Sequence, residues 1–303
     1  MPQKIMIAGG SGFIGQYLSE HFRKKGDDII VLSRSPKDRT DGIRSVYWDG
    51  EHLGEWATEL DGADVLINLA GKSVDCRYTE ANKQAILDSR IKSTMVLGKA
   101  IQQASSPPSI WFNSSTATIY RHSEDKDMTE EGEFGDGFSE QVAKSWEQTF
   151  FQTELPQTRR IALRMSFILG DGSALSTLTQ LAKAGLGGSQ GKGNQYVSWL
   201  HIQDLVGMME FLMEKKELTG SFNISSPNPI PNRDFMKQLR KVLGIPFGLP
   251  ATPWMLELGA WLLQTETELI TKSRRVVPDR LMKAGYSLQF PHLEEALQDL
   301  LLS

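Results

Sequence analysis

The chain has almost none of the residues that hold a structure together covalently or through metal. Among its 303 residues there is one cysteine, Cys76, so no disulfide can form within it. It contains neither CxxC nor HExxH, and His21, His52, His122, His201 and His292 have no ligand-like spacing, so no metal site is expected. No apolar run approaches the roughly 18 residues of a membrane span. The opening MPQKIMIAGG passes straight into a strand and a glycine turn, without the pattern of a secretory leader. A soluble, cytoplasmic protein that does not engage membranes is expected. A basic excess is also missing. The formal net charge of −4 leaves no footprint for nucleic acid.

What is present is an ordinary globular composition, 40% hydrophobic and 23% charged. The length suggests two domains of about 150 residues each, or one domain with a large insertion. Over the first 165 residues short apolar runs alternate with amphipathic stretches. Strands are expected at Lys4–Ala8, Asp28–Ser33, Ser45–Trp48, Val65–Leu69, Ile110–Ser114 and Arg160–Ser166. Helices are expected at about Phe13–Lys25, Glu80–Ala104 and Ser139–Thr153. That alternation predicts an α/β fold: a Rossmann-type, doubly wound parallel sheet whose strands are buried on both faces. Beyond Gly170 the glycine-rich stretch Gly185–Gly193 reads as a loop near a site, Val197–Ile202 as a strand and Gln203–Glu214 as a helix. From about Pro227 the chain becomes proline-punctuated helices at Asn232–Leu243, Trp254–Gln264, Asp279–Ala284 and Leu293–Leu302. Residues 1–226 are expected to form the nucleotide-binding domain, with 171–196 contributing to a substrate cleft. Residues 227–303 are expected to form a smaller, mainly helical capping domain.

Gly9-Gly10-Ser11-Gly12-Phe13-Ile14-Gly15 follows the first strand and opens the first helix. In that context glycines allow a tight turn and close backbone approach to a pyrophosphate, which then sits on the helix N-terminus. The end of the second strand selects the nucleotide. A carboxylate about 20 residues past the fingerprint would bind the ribose hydroxyls of NAD. Here Ser33-Arg34 stands in that place, followed by Lys37 and Arg39. Arg34 is either a solvated loop charge or a bidentate partner for a 2′-phosphate, with Ser33 donating to it; the second predicts NADP(H) over NAD(H).

The glycine turn, Asn68-Leu69-Ala70-Gly71 and Ser114-Ser115-Thr116-Ala117-Thr118-Ile119-Tyr120 resemble the extended short-chain dehydrogenase/reductases. Gly185–Gly188, Gln195–Asp204 and Phe222–Pro227 resemble, more closely, the atypical group of epimerase family proteins, over nearly the whole chain. The resemblance implies backbone contacts from Leu69 and Ala70 to the cofactor, and Arg90 reaching its pyrophosphate or nicotinamide ribose. It also implies Ile168 lining the nicotinamide pocket from a loop after the sixth strand, and Thr116 orienting the substrate. His201 and Asp204 suit a structural loop–helix junction.

In such enzymes a Tyr acts as acid/base and a Lys one turn later lowers its pKa, on the same helix face. Aligned on Trp146-Glu147, the Tyr position holds Ser139 and the Lys position Ala143, while Lys144 is rotated about 100° away. Substitutes for the missing acid are Tyr120, set against a packing role, and Tyr78, Arg77 or Cys76 in the loop after the fourth strand; a water held by Thr116 and Ser139 is another. Glu130, Glu131 and Asp136 read as a solvated acidic loop. The function expected is an NADP(H)-binding, epimerase-like oxidoreductase acting on a small molecule, a nucleotide sugar or a carbonyl compound, as a monomer or homodimer. The alternatives are an NADP(H)-binding sensor without catalysis and a purely structural partner protein.

Overall fold

The computed structural model describes residues 2–252, 255 and 272–302. Seven strands pair in parallel into one sheet: β1 (Lys4–Ala8), β2 (Asp28–Ser33), β3 (Arg44–Tyr47), β4 (Val65–Asn68), β5 (Ile110–Thr116), β6 (Arg159–Met165) and β7 (Gly220–Ile224). Their order across the sheet is β3-β2-β1-β4-β5-β6-β7. The order reverses between β1 and β4, and a crevice opens at the carboxyl ends of such neighbours. This is the Rossmann-type doubly wound arrangement.

Alternation along the strands builds two cores at once. Ile5 and Ile7 of β1 face a core shared with Leu18 and Phe22 of α1 (Phe13–Lys24) and Leu205 and Met208 of α5 (Ile202–Glu214). Met6 and Ala8 face the other side. There they pack with Val96, Leu97 and Ile101 of α2 (Glu80–Gln103) and Phe150 of α3 (Phe138–Gln152). A third core joins α4 (Ala174–Lys183), α6 (Asn232–Val242) and α8 (Leu293–Leu302) around Trp199 and Phe235. It draws residues from both sides of position 226. The short α7 (Asp279–Lys283) packs beside β7.

The structure differs from the sequence expectation at four places. The sheet has a seventh strand, Gly220–Ile224, five residues long and opened by a positive-φ glycine, too short to carry a period of its own. The segment expected as one strand at Val197–Ile202 is two: Tyr196–Val197 pairs antiparallel with Ile230–Pro231, and Trp199–His201 pairs parallel with Phe167–Leu169. The glycine-rich stretch Gly185–Gly193 serves backbone docking. Gly188 donates to the Leu249 carbonyl (3.0 Å), and a Cβ on Gly188 would lie 2.4 Å from the Leu249 carbonyl carbon. Glu130 is no solvated loop carboxylate, since it accepts from the backbone N–H of Asn223 (2.9 Å) and of Arg280 (3.2 Å). The helix expected at Trp254–Gln264, with Trp254 and Trp261, lies outside the described residues.

One buried ion pair ties α3 to the sheet. Arg164 on β6 donates from Nε and Nη2 to the two carboxylate oxygens of Glu147, each at 2.8 Å, with the side chains 6% and 10% exposed. Ser115 of β5 and Ser221 of β7 also donate to Glu147. Arg164 Nη1 reaches the Tyr120 hydroxyl (2.7 Å) and the Glu130 carbonyl (3.0 Å). Burial alone would lower the pKa of Arg164; the bonds to Glu147 outweigh it and hold the pKa above the usual arginine value.

Removing one partner of such a pair strands the other charge. Arg164→Met is expected to lower the unfolding free energy in urea by about 3–5 kcal/mol. Adding Glu147→Leu should recover part of that loss, whereas strictly additive losses would contradict the pairing.

Candidate functional site

The carboxyl ends of β1, β4 and β5 meet at the switch point, and two glycines of the turn after β1 are tightly constrained. Gly9 has φ +75°, and a Cβ there would lie 2.9 Å from the Ala70 nitrogen. A Cβ on Gly15 would lie 2.4 Å from Gly10 Cα. Gly12 is different: among the described residues its added Cβ would meet only the Gly9 carbonyl oxygen at 3.9 Å, so no described contact demands a glycine there. Gly12 is also the N-cap of α1, with no side-chain cap and no acidic residue in the first turn. The helix therefore presents N–H groups and a partial positive charge over a bare backbone. Ser11 and Gly12 are exposed. The Phe13 ring turns away to pack against Gly170, and Ile14 packs on the α1 core, so their contribution to the turn is backbone.

The neighbouring strand end completes this edge. Gly9 N–H donates to the Leu32 carbonyl (3.2 Å), which places Ser33 and Arg34 beside the turn. Ser33 Oγ accepts from the Ser35 N–H (3.2 Å). Arg34 is exposed and makes no hydrogen bond or ion pair among the described residues, whereas Arg39 is engaged by Asp41.

On the other side of the turn a cavity of about 300 Å³ lies between the loop after β4, α2, the end of β5 and α3. Leu69, Ala70, Arg90, Thr116 and Ser139 all line it. Its floor is a buried polar network. Asn68 donates to Asn113 (2.7 Å) and accepts from the Ala70 N–H (3.0 Å), and Trp146 Nε1 donates to Thr94 (2.9 Å). Thr116 Oγ1 lies 3.0 Å from Thr118 Oγ1. The Ser139 hydroxyl is buried and has no hydrogen-bond partner among the described residues. Arg90 Nη1 donates to the carbonyls of Lys72 and Ile86, each at 3.0 Å, and its guanidinium lies 5.1 Å above the Trp146 ring. Burial lowers its pKa to about 10. A larger cavity of about 600 Å³ opens between α1, α5 and α8, apart from the strand ends where the polar network converges.

Two expected site residues stand elsewhere. Tyr120 is wholly buried, its hydroxyl donating to Asn223 (2.7 Å) and accepting from Arg164, and burial pushes its pKa up to about 12. It is not among the residues that line the cavity. Ile168 lies in the short strand Phe167–Leu169 and packs into the α5 core, because the chain after β6 pairs with Trp199–His201 where a loop was expected. Lys144 sits 3.7 Å from Asp136 on the outer side of α3, and Cys76 is not among the lining residues. His201 caps α5 by accepting from the Gln203 N–H (3.1 Å), and Asp204 accepts from the N–H groups of Gln289 and Phe290, both structural.

The lining also includes Phe138, Val142 and Trp146, which the sequence did not single out as site residues. The spacing 139, 142, 146 marks one face of α3 and would have pointed to them. Tyr78, named only as a substitute acid, forms an edge-to-face pair with Phe138 at 5.0 Å.

Comparison with known proteins gives consistent results. The model described as "NAD dependent epimerase/dehydratase family" matches residues 5–225, and "Domain of unknown function (DUF1731)" matches residues 251–300. The epimerase family protein YfhF of Bacillus subtilis (strain 168) is 32% identical, covering 98% of this chain and 97% of that one. The epimerase family protein SDR39U1 of Mus musculus is 31% identical, covering 98% and 99%. Among solved structures, human epimerase family protein SDR39U1 (isoform 2), crystallised with NADPH, superposes with a TM-score of 0.87 at 27% identity, covering 98% of this chain and 99% of that one. A UDP-N-acetylglucosamine 4-epimerase from Bacillus cereus shares the fold, with a TM-score of 0.76 at 17% identity over 99% and 96% of the two chains. With its switch-point glycine turn and these matches along nearly its whole length, the chain belongs to the NAD dependent epimerase/dehydratase family.

Proposed function

We propose that this protein binds NADP(H) and acts as an epimerase-like oxidoreductase on a small molecule held in the cavity beside Thr116 and Ser139. The observation that carries the proposal is Gly12. A position that packing among the described residues leaves open is kept bare at the uncapped N-terminus of α1, which suits a pyrophosphate lying against the backbone. Arg34, with no partner among the described residues, stands at the adjoining strand end where a 2′-phosphate would be met. The crystallisation of human SDR39U1 with NADPH supports the same choice. Backbone atoms of Gly9, Ser11, Gly12, Phe13, Ile14, Gly15, Leu69 and Ala70 would hold the cofactor, with Ser33 donating beside Arg34. When bound, the dinucleotide supplies or accepts a hydride.

The chain's own groups would then orient the substrate. Thr116 and the unpartnered Ser139 hydroxyl offer hydrogen bonds to a substrate oxygen on the cavity wall. Neither is an efficient acid/base near neutral pH. None of the six tyrosines is followed four residues later by a lysine, and Lys144 points away. That favours a second reading, an NADP(H)-responsive protein without turnover, in which Thr116 and Ser139 only gate occupancy of the cavity.

NADPH is expected to bind saturably in a fluorescence titration; no saturable binding contradicts the proposal. Arg34→Asp should weaken NADPH by about 10–100-fold while changing NADH far less, as expected for loss of a charge-assisted bond. Equal effects would remove the 2′-phosphate assignment. Gly12→Ala should leave the melting temperature near wild type yet cost at least about tenfold in NADPH affinity, whereas Gly15→Ala should lose about 1–3 kcal/mol of stability through overpacking. If Gly12→Ala binds NADPH as wild type does, the backbone cradle is wrong. For catalysis, Thr116→Ala or Ser139→Ala should abolish any turnover found while sparing NADPH binding; turnover unchanged in both variants would favour neither hydroxyl.

A further inference from the structure

Arg90 is a half-buried cation that makes no ion pair among the described residues. Among the described residues only its Nη1 is engaged, by the carbonyls of Lys72 and Ile86. That leaves the Nε–H and Nη2–H edge, two parallel donors, without an acceptor among the described residues. This edge of a guanidinium matches a planar oxyanion bidentately. Taking such a charge out of water without a counter-ion is costly, and the lowering of its pKa by burial reflects that. The stapling of the loop after β4 uses Nη1 alone, so the free edge is surplus to the fold.

A second group on the opposing wall has the same deficit. Ser139 Oγ, on α3, is buried in the same cavity without a partner among the described residues. The lining of the same cavity carries Val142 and the edge-to-face pair of Tyr78 and Phe138, beside the hydroxyl side chains of Ser114, Thr116 and Thr118. At about 300 Å³ the space is at the small end of ligand cavities. On the function proposed above, Gly12 and Arg34 would meet the anionic groups of the dinucleotide, which leaves Arg90 for the substrate and not for the cofactor role that the family resemblance implies. Aromatic walls favour a flat, unsaturated body, and the two-pronged free edge of Arg90 favours a carboxylate.

Resting on the reading that this cavity takes the substrate, we propose that Arg90 and Ser139 form a receptor for a substrate carboxylate, so that the site accepts a small aromatic or unsaturated carboxylic acid. Arg90 binds the carboxylate side-on through Nε and Nη2, Ser139 donates to it or to a neighbouring oxygen, and the ring or conjugated chain lies between Tyr78, Phe138 and Val142.

The test is calorimetric titration of the full chain with trans-cinnamate and with its uncharged amide, both with and without saturating NADPH. Cinnamate is expected to bind at least about tenfold more tightly than cinnamamide, as loss of a charge-assisted pair would give. Arg90→Met should erase that preference and Arg90→Lys should restore part of it. Ser139→Ala should weaken cinnamate by about three- to tenfold. NADPH affinity should stay within about twofold of wild type in all three variants. No preference for the acid over the amide in the wild-type protein overturns the proposal. So does displacement of cinnamate by inorganic phosphate at lower concentration, which would make the receptor one for phosphoryl groups. If Arg90→Met loses NADPH affinity and keeps the preference for the acid, Arg90 belongs to the cofactor and the proposal falls while the NADP(H) reading stands. Failure of the wild-type protein to bind NADPH would instead sink that reading, and the acid–amide comparison without nucleotide would still judge the receptor.

Discussion

The bidentate pair between Arg164 and Glu147 sets the rotation of α3, and the site depends on that rotation. Glu147 is held from three strands at once, by Arg164, Ser115 and Ser221, so the helix cannot turn about its axis without unpairing a buried charge. With Glu147 fixed inward, Ser139, Val142 and Trp146 face the cavity, Ala143 packs against Tyr120 and Val276, and Lys144 points outward. The same arginine immobilises the Tyr120 hydroxyl. One ion pair thus positions the helix that carries Ser139 and holds the hydroxyl of Tyr120.

A second constraint links the two halves of the site. Gly9 lies so close to Ala70 that a Cβ would collide with its backbone, which makes the glycine turn and the loop after β4 a single surface. One face of that surface carries the bare N-terminus of α1 and Arg34. The other opens into the cavity with Arg90 and Ser139. A dinucleotide stretched across this edge would bring its reactive end to the cavity mouth, the usual geometry of ligands at a switch point in a parallel sheet.

Much of this could be read in advance, for identifiable reasons. Buried parallel strands are continuous apolar runs, so β1, β2 and β4–β6 stood out, each within a residue or two of its final ends. The glycine turn was legible because its strand–turn–helix context is local. The outward direction of Lys144 followed from helical geometry once Trp146-Glu147 served as the anchor, and the buried pair with Arg164 gives that anchor its physical basis. What escaped was set by long-range contact. β7 is a five-residue strand whose only signal is its pairing with β6. Ile168 left the expected loop because Trp199–His201, some thirty residues on in sequence, offered a parallel partner. The burial of Tyr120, with its hydroxyl held by Asn223 and Arg164, depends on residues far away in sequence. The glycines at 187 and 188 look like a ligand loop, yet they make room for another backbone.

The roles of Gly12, Arg34 and Ser139 all depend on where the dinucleotide lies. The most direct measurement is a crystal structure of the protein soaked with NADPH. The pyrophosphate is expected against Gly12 at the N-terminus of α1, the 2′-phosphate within hydrogen-bond reach of Arg34 and the nicotinamide directed toward Ser139. Density for the nucleotide in the cavity between α1, α5 and α8, or a 2′-phosphate that leaves Arg34 in solvent, would contradict it.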